Sequence, residues 1–493
     1  MRIFSTKLHI LPKDSETHVS VNFDVPQGLK RLEVRTAYSP KYEYDLDRCF
    51  NLIESGLASQ DAEKKFTLNE VQRCIPLANH IAWSLHDGQR WLGTEHRHAP
   101  DQRHIISEDF SSNGFVKTAV NGGRWTLTAS INGLVTEYTD VIVEVDGYEE
   151  SSAIEVSCEY GNADIFNNSR EGERSWQRVE MHCHTVASDG DMQPLQLVQN
   201  AIKRDYKAIC LTDHNTTSNV EETKKWGEKY GLVVCGGIEW TTFWGHITVV
   251  GGNSDIEWKD ITPANINAKI IRARQLGDIV TIAHPKRIGS PLCMGCHNRF
   301  KITNWDYVTS YEVWSHYDPN LSPTNDKAKR EWISLLDKGY RICALYGYDW
   351  HAPDEGGPSF AYTYLGIDGI LSQESVLQAV EWGRSYITMG YEVDIYLDDG
   401  THRYQIGDEV SVGRYKLTVK AKRCGGYQYD SKLQYINVRG SACQELTLDV
   451  TDGEAICEMY LDKKGYIRIE GVGKMNDKDA DVFIASPIYV KEE

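Results

Sequence analysis

Along the middle of this chain, short apolar runs that read as buried strands repeatedly end in a histidine, aspartate or glutamate, and this repetition constrains the fold more than any other feature. The first instance closes on His182-Cys183-His184-Thr185, followed by Ser188-Asp189-Gly190. Strand side chains alternate, so His182 and His184 face the same side and one cation accepts both. Ala208-Ile209-Cys210-Leu211 then delivers Thr212-Asp213-His214, a further run reaches Glu239, Ile279 to Ala283 reaches His284, and Ile342 to Leu345 leads to Asp349-Trp350-His351. Helical stripes separate several of these runs. Pro194 stands at a first helical position ahead of Leu195, Val198 and Ile202. Thr262-Pro263 precedes Ile266, Ile270 and Ala273, and Ala328, Trp332 and Leu335 run toward the terminator Gly339. Helix and strand in alternation predict an α/β fold, a parallel sheet covered by helices with its polar residues gathered at the strand ends. The pattern occupies residues 178–390. That span is short for the ~250 residues of an eight-unit barrel, so a distorted, seven-stranded β/α barrel is expected.

In order, the motifs are His-X-His-Thr-X-X-Ser-Asp-Gly, Thr-Asp-His-Asn, Gly-Ile-Glu, Gly-His, Ala-His-Pro and Asp-X-His. This series resembles the polymerase-and-histidinol-phosphatase (PHP) superfamily of metallohydrolases. The Ser-Asp-Gly variant and the Glu239-Trp-Thr-Thr-Phe-Trp-Gly-His246 segment are most similar to its CehA/McbA-like branch. The resemblance implies two or three divalent ions, manganese, zinc or iron. His182, His184, Glu239 and Asp349 would hold the first ion, Asp189, His214 and His351 the second, and Glu239, His284 and His246 a third. Asp189 replaces a histidine found in other members, and a carboxylate there hardens the site toward manganese, iron or magnesium relative to zinc.

Paired cations of this kind acidify a shared water and stabilise charge on a phosphoryl or carbonyl centre. The expected activity is hydrolysis of a small phosphomonoester or phosphodiester. A carbamate, ester or amide hydrolase using the same ions and an inactive binding scaffold are the alternatives. Lys286, Arg287 and Arg384 are candidate contacts to substrate anion oxygens. Trp240, Trp244, Trp314 and Trp350 flank the motifs as candidate pocket walls, although an extended Trp350 would point away from its ligating neighbours.

The flanks read as β structure. Residues 1–160 carry alternations such as Trp125, Leu127, Ala129 and Ile131, which suggest a sandwich. Residues 161–177 read as a linker, and 391–493 as a smaller β domain with Tyr415, Leu417, Val419 and Ala421 on one face. A formal charge of −18 argues against nucleic acid as a primary ligand, whereas bound cations reverse the local field for a small anionic substrate. Two motifs stand outside the series. His96-Arg97-His98 follows no apolar strand and is expected to be a polar loop. Cys293-Met294-Gly295-Cys296-His297 matches the c-type haem attachment pattern, yet is expected to be a loop with reduced thiols. Twelve cysteines are too few for a disulfide scaffold in a chain of 493 residues. The chain begins without an apolar leader core and contains no membrane-length apolar run, so a cytoplasmic protein is expected, with its oligomeric state open.

Overall fold

The computed structural model describes residues 1–59, 65–151, 174–252, 256–289, 295–316, 319–353, 361–424, 432–475 and 478–492. The amino-terminal part contains two four-stranded antiparallel sheets. One runs Arg2–Ile10, Thr139–Tyr148, Arg31–Ser39, Asp101–Ser107, and the other Thr17–Val25, Gly123–Gly133, His80–His86, Trp91–Glu95. Leu32, Val34, Trp83, Trp125, Leu127, Val141 and Val143 share the core between them. Thr128 and Ser130, on the opposite face of their strand, are buried as well, although their residue types suit a solvated face. That face is covered by the central region: Lys259 Nζ donates to Thr128 Oγ1 (3.5 Å) and Trp258 Nε1 to Thr94 Oγ1 (2.9 Å). Two helices, Leu46–Ser59 and Leu68–Cys74, accompany the sheets of this β-rich part. The second opens with a capping box in which the Thr67 backbone N–H donates to Glu70 Oε2 (2.8 Å).

The central sheet has fifteen strands among the described residues, of which nine belong to the central region and are labelled in chain order: β1 (Arg174–Cys183), β2 (Ala208–Leu211), β3 (Val233–Thr241), β4 (His246–Val250), β5 (Ile279–Ile282), β6 (Ser310–Ser315), β7 (Cys343–Gly347), β8 (Tyr362–Asp368) and β9 (Ser385–Thr388). Their spatial order is β7-β6-β5-β4-β3-β2-β1-β8-β9. The β1–β2, β2–β3, β5–β6 and β6–β7 pairs are parallel, and the remaining pairs are antiparallel. Helices α1 (Pro194–Lys203), α2 (Val220–Tyr230), α3 (Ile266–Gln275), α4 (Pro323–Asp337) and α5 (Gln373–Glu381) connect them. Helices α3 and α4 bury Ile266, Ile270 and Ala273, and Ala328, Trp332 and Leu335, the stripes their spacing predicts. On α1 the buried residues are Pro194, Leu197, Val198 and Ala201, whereas Ile202 is exposed, so the inward face lies about a quarter of a turn from the expected one.

The first and seventh strands are joined beyond the end of β7, where His184 N–H donates to Trp350 O (2.9 Å) and Trp350 N–H to His182 O (3.0 Å). Glu180 adds a side-chain bridge, accepting from the Tyr348 (3.1 Å) and His182 (3.0 Å) amides. A single bridge and one carboxylate take the place of a closing ladder, and β8 and β9 extend the sheet on the other side of β1. The expected seven-stranded barrel is therefore observed only as a mixed α/β sheet in which the segment after β7 meets β1 at this seam.

Two further boundaries differ from expectation. Most of the 161–177 linker lies outside the described residues, and its last four, Arg174 to Gln177, already belong to β1. At the carboxyl side β9 pairs with Lys478–Ala485, which leads on to Gly465–Met475, Leu433–Arg439 and Leu446–Asp449. The central sheet thus crosses the boundary placed at residue 390. A separate sheet of Arg403–Gln405, Tyr391–Asp398, Gly413–Arg423 and Glu454–Leu461 packs over this extension around Leu417, Val419, Ile467, Ile469 and Phe483. No helix among the described residues is long and apolar enough to cross a membrane.

Trp332 is fully buried and its Nε1 donates to Ile342 O (2.9 Å), locking α4 to the approach to β7. Trp332→Ala is expected to cost about 3–5 kcal/mol from cavity formation. The check is an earlier first transition in chemical denaturation.

Candidate metal centre

Strand geometry explains how residues remote in sequence meet. Each parallel strand ends at the same edge of the sheet, so the residues just past β1, β2, β5 and β7 emerge side by side. His214 and Glu239 are aligned by a backbone bridge: Asn215 N–H donates to Glu239 O (3.0 Å) and Glu239 N–H to Asp213 O (3.2 Å). The β3–β4 hairpin places Thr241 opposite His246. His284 (φ 27°) and Asp349 (φ 58°) hold left-handed backbone conformations that such residues seldom adopt, a strain typical of functional sites.

Nine sequence-selected residues come together. Glu239 is fully buried at the centre, with Oε2 at 3.2 Å from His182 Nε2, 3.5 Å from His184 Nε2 and 2.8 Å from His214 Nδ1. Its Oε1 lies 3.1 Å from His246 Nδ1 and 3.2 Å from His284 Nε2. Asp349 Oδ1 is 3.3 Å from His182 Nε2 and 2.9 Å from His184 Nε2. Asp189 Oδ1 is 3.4 Å from His214 Nε2 and 3.2 Å from His351 Nε2. Three overlapping groups each converge within 4.8 Å: His182, His184, Glu239 and Asp349; His184, Asp189, His214 and His351; and His214, Glu239 and His246.

Hydrogen bonding alone does not satisfy this cluster. His182 Nε2, Asp189 Oδ1, Glu239 Oε2 and His246 Nδ1 are buried and lack a hydrogen-bond partner of proper geometry. Buried polar atoms in such number are unusual unless a ligand completes them. Mixed imidazole and carboxylate donors converging on common points fit divalent cations, so the donor set passes the chemical test for metal.

The electrostatics agree with the crowding. Burial alone would raise the carboxyls of Asp189, Glu239 and Asp349. Facing imidazoles, His214 and His351 for Asp189, His182 and His214 for Glu239, and His351 with the Arg287 guanidinium for Asp349, instead hold all three well below the usual range. The reciprocal effect lifts His351, against the effect of burial, to about 10 through Asp189 and Asp349, and raises His182 through Glu239, Glu312 and Asp349.

Supporting residues that the sequence reading did not select fix the ligands. Glu312, a buried carboxylate within the apolar β6 run, accepts from His182 Nδ1–H (2.8 Å) and from the His284 backbone N–H (2.6 Å). Asp213 accepts from Thr185 N–H (2.7 Å), Thr185 Oγ1 (2.6 Å) and Ser188 Oγ (2.8 Å), shaping the loop that carries Asp189. A charged residue in the middle of an otherwise apolar strand was the available signal for Glu312.

The three candidate anion contacts fare differently. Arg287 Nη1 meets Asp349 Oδ2 at the edge of the cluster while a third of its side chain stays accessible. Lys286 Nζ pairs with Glu331 of α4 (2.7 Å). The expectation for Arg384 is corrected. It pairs with Asp368 (2.5 Å) and stacks on Trp382, and Asp368 stands opposite Arg174 at the start of β1, about 25 Å along the strand from His182. Trp240, Trp314 and Trp350 are buried in hydrophobic cores and do not wall a pocket. His96-Arg97-His98 is the loop expected, but it follows the buried strand Trp91–Glu95, and His96 is itself buried, its ring centroid 4.7 Å from that of His214. Neighbouring Arg97 Nη2 donates to Val186 O (3.3 Å) and Gly190 O (3.1 Å). Cys296 is disulfide-bonded, against the expected reduced thiols, while Cys293 and Met294 lie outside the described residues.

Two outcomes are expected. Glu312→Ala should weaken metal binding about 10–100-fold, because it removes the acceptor that orients His182, and equilibrium dialysis measures this directly. Since His182, His214 and His351 favour their protons, a cation that takes their nitrogens must displace them. Apparent manganese affinity should therefore rise between about pH 6 and 8, with proton release seen as buffer-dependent calorimetric heats.

Residues 180–311 match the family model described as the PHP domain. The chain is 29% identical over 105 residues to a 5'-3' exoribonuclease of Haemophilus influenzae, covering 21% of this chain and 38% of that protein. It is 30% identical over 71 residues to a 3',5'-nucleoside bisphosphate phosphatase of Chromobacterium violaceum, covering 14% and 25% respectively. The chain thus spans well under half the length of these two relatives. A solved two-domain protein from Bacteroides vulgatus, containing a predicted PHP-like metal-dependent phosphoesterase, aligns with 65% of this chain and 100% of its own at 15% identity and a TM-score of 0.38.

Proposed function

With residues 180–311 belonging to the PHP domain family, we propose that this protein is a metal-dependent phosphoesterase acting on a small phosphomonoester or phosphodiester. The observation that carries the reading is the convergence of nine imidazole and carboxylate side chains around the shared carboxylates Glu239 and Asp349. His182, His184, Glu239 and Asp349 form one ligand group, Asp189, His214 and His351 a second, and His246 and His284 complete a third with Glu239. These groups would hold two or three divalent ions, which would supply Lewis acidity and acidify a bound water.

The chain's own residues do the rest. Arg287, held on Asp349 beside the ligands, offers a planar guanidinium to the non-bridging oxygens of a phosphoryl group, a geometry that suits phosphate. A carbamate pocket would favour apolar lining at that point. Asp189, an oxygen donor in the second group, favours manganese or iron over zinc there. The Ser188-Asp189-Gly190 and Glu239-to-His246 segments support placement near the CehA/McbA-like branch. A net charge of −18 favours a small anion over a nucleic-acid polymer, since the field reversal supplied by cations is local to the site. A cytoplasmic setting is part of the same proposal.

Elemental analysis of the purified protein, followed by assays on aryl phosphate, phosphodiester and carbamate substrates with manganese, iron and zinc, tests the reading. Phosphate ester turnover is expected, and His184→Ala and Asp349→Ala should each lower kcat by at least about 10³-fold together with bound metal. Turnover of carbamates alone, or full phosphoesterase activity in a variant shown to be metal-depleted, would overturn it.

A further inference from the structure

The amino-terminal sheets carry a histidine group that the reading above leaves unused. Strands His80–His86 and Trp91–Glu95 are antiparallel neighbours, with Trp83 opposite Glu95 and Ser84 opposite Thr94. Continuing that register outward sets His80 opposite His98. His96, two residues before His98, faces the same side in extended chain. One nitrogen from each of His80, His96 and His98 falls within 4.8 Å of the others. The His80 and His96 rings meet edge to face at 4.5 Å, and those of His80 and His98 stack at 4.0 Å.

Each of the two inner members has one ring nitrogen without a hydrogen-bond partner of proper geometry. His80 Nε2 and His96 Nδ1 are buried without a hydrogen-bond partner. Such groups are costly to bury when nothing completes them. On its other side, His80 Nδ1 lies 3.3 Å from the Asn132 side-chain amide. Turning that amide so that its oxygen accepts from Nδ1–H leaves the Nε2 lone pair free, the arrangement in which an outer partner fixes a ligating imidazole.

We propose that His80, His96 and His98 form a separate three-histidine zinc site on the amino-terminal sheets, next to the central metal centre and independent of it. An all-imidazole donor set suits zinc, cobalt or nickel, in contrast to the carboxylate-rich groups around Glu239. Three histidines leave the fourth tetrahedral position open for water or an anionic oxygen. His96 packs on His214, so this position borders the central cluster and belongs to the same rim. An ion must lie in the plane of each ring it binds. His98, the exposed member, therefore turns out of its stack on His80 when zinc enters.

The test uses the full-length protein, stripped with chelator and titrated with zinc under equilibrium dialysis, with cobalt absorption as a second readout. His98→Ala changes an exposed side chain, and His80→Ala removes a buried one; circular dichroism checks that both fold. Each should bind one zinc fewer per chain than wild type, or bind that equivalent at least about 100-fold more weakly. Each should also lose part of the tetrahedral cobalt spectrum. His182→Ala, run in parallel, should lose a different equivalent and leave this one in place. Equal zinc stoichiometry and affinity in wild type, His98→Ala and His80→Ala overturns the proposal, whatever His182→Ala does to the remaining equivalents.

Discussion

The buried carboxylate of Glu239 is the constraint around which the centre is organised. A carboxylate withdrawn from water is costly unless positive charge or donors surround it. Here five imidazoles, those of His182, His184, His214, His246 and His284, stand within 3.5 Å of its two oxygens. They arrive from the ends of three strands and from a hairpin, so the charge at one atom pair constrains where those strands terminate. The fold and the chemistry are in this sense one problem.

The same demand runs outward. Glu312 holds His182 and the His284 amide together, and Asp213 holds the loop that brings Asp189 to His214 and His351. Left-handed backbone at His284 and Asp349 is tolerated because these surrounding contacts over-determine it. Electrostatic pre-organisation here rests on fixed side chains whose partners are themselves fixed, with little reorganisation left for a reacting charge to provoke.

Most of the central ligands were legible in the sequence because they follow apolar strands, and parallel strands deliver their ends to one edge; His246, which opens β4, and Asp189, in a loop, do not follow that rule. Arg384 misled because a basic residue after a glycine says nothing about which end of the sheet it occupies; its pairing with Asp368 decides that. The closing seam was not legible either, since it consists of the Trp350 backbone and the Glu180 carboxylate rather than a recognisable strand. Nor was the continuation of the sheet past residue 390, because alternation reports a half-buried strand without naming its neighbour. His96 was dismissed for lacking an apolar strand of its own kind. Its burial comes from a surface belonging to another part of the chain, which local patterning does not encode.

Arg97 clasps the carbonyls of Val186 and Gly190, on either side of Asp189. One guanidinium from the amino-terminal part thereby braces the loop that carries Asp189. Selectivity in such an architecture is free to drift through changes in that neighbouring unit while every ligand stays constant, so proteins with indistinguishable metal motifs need not share a substrate.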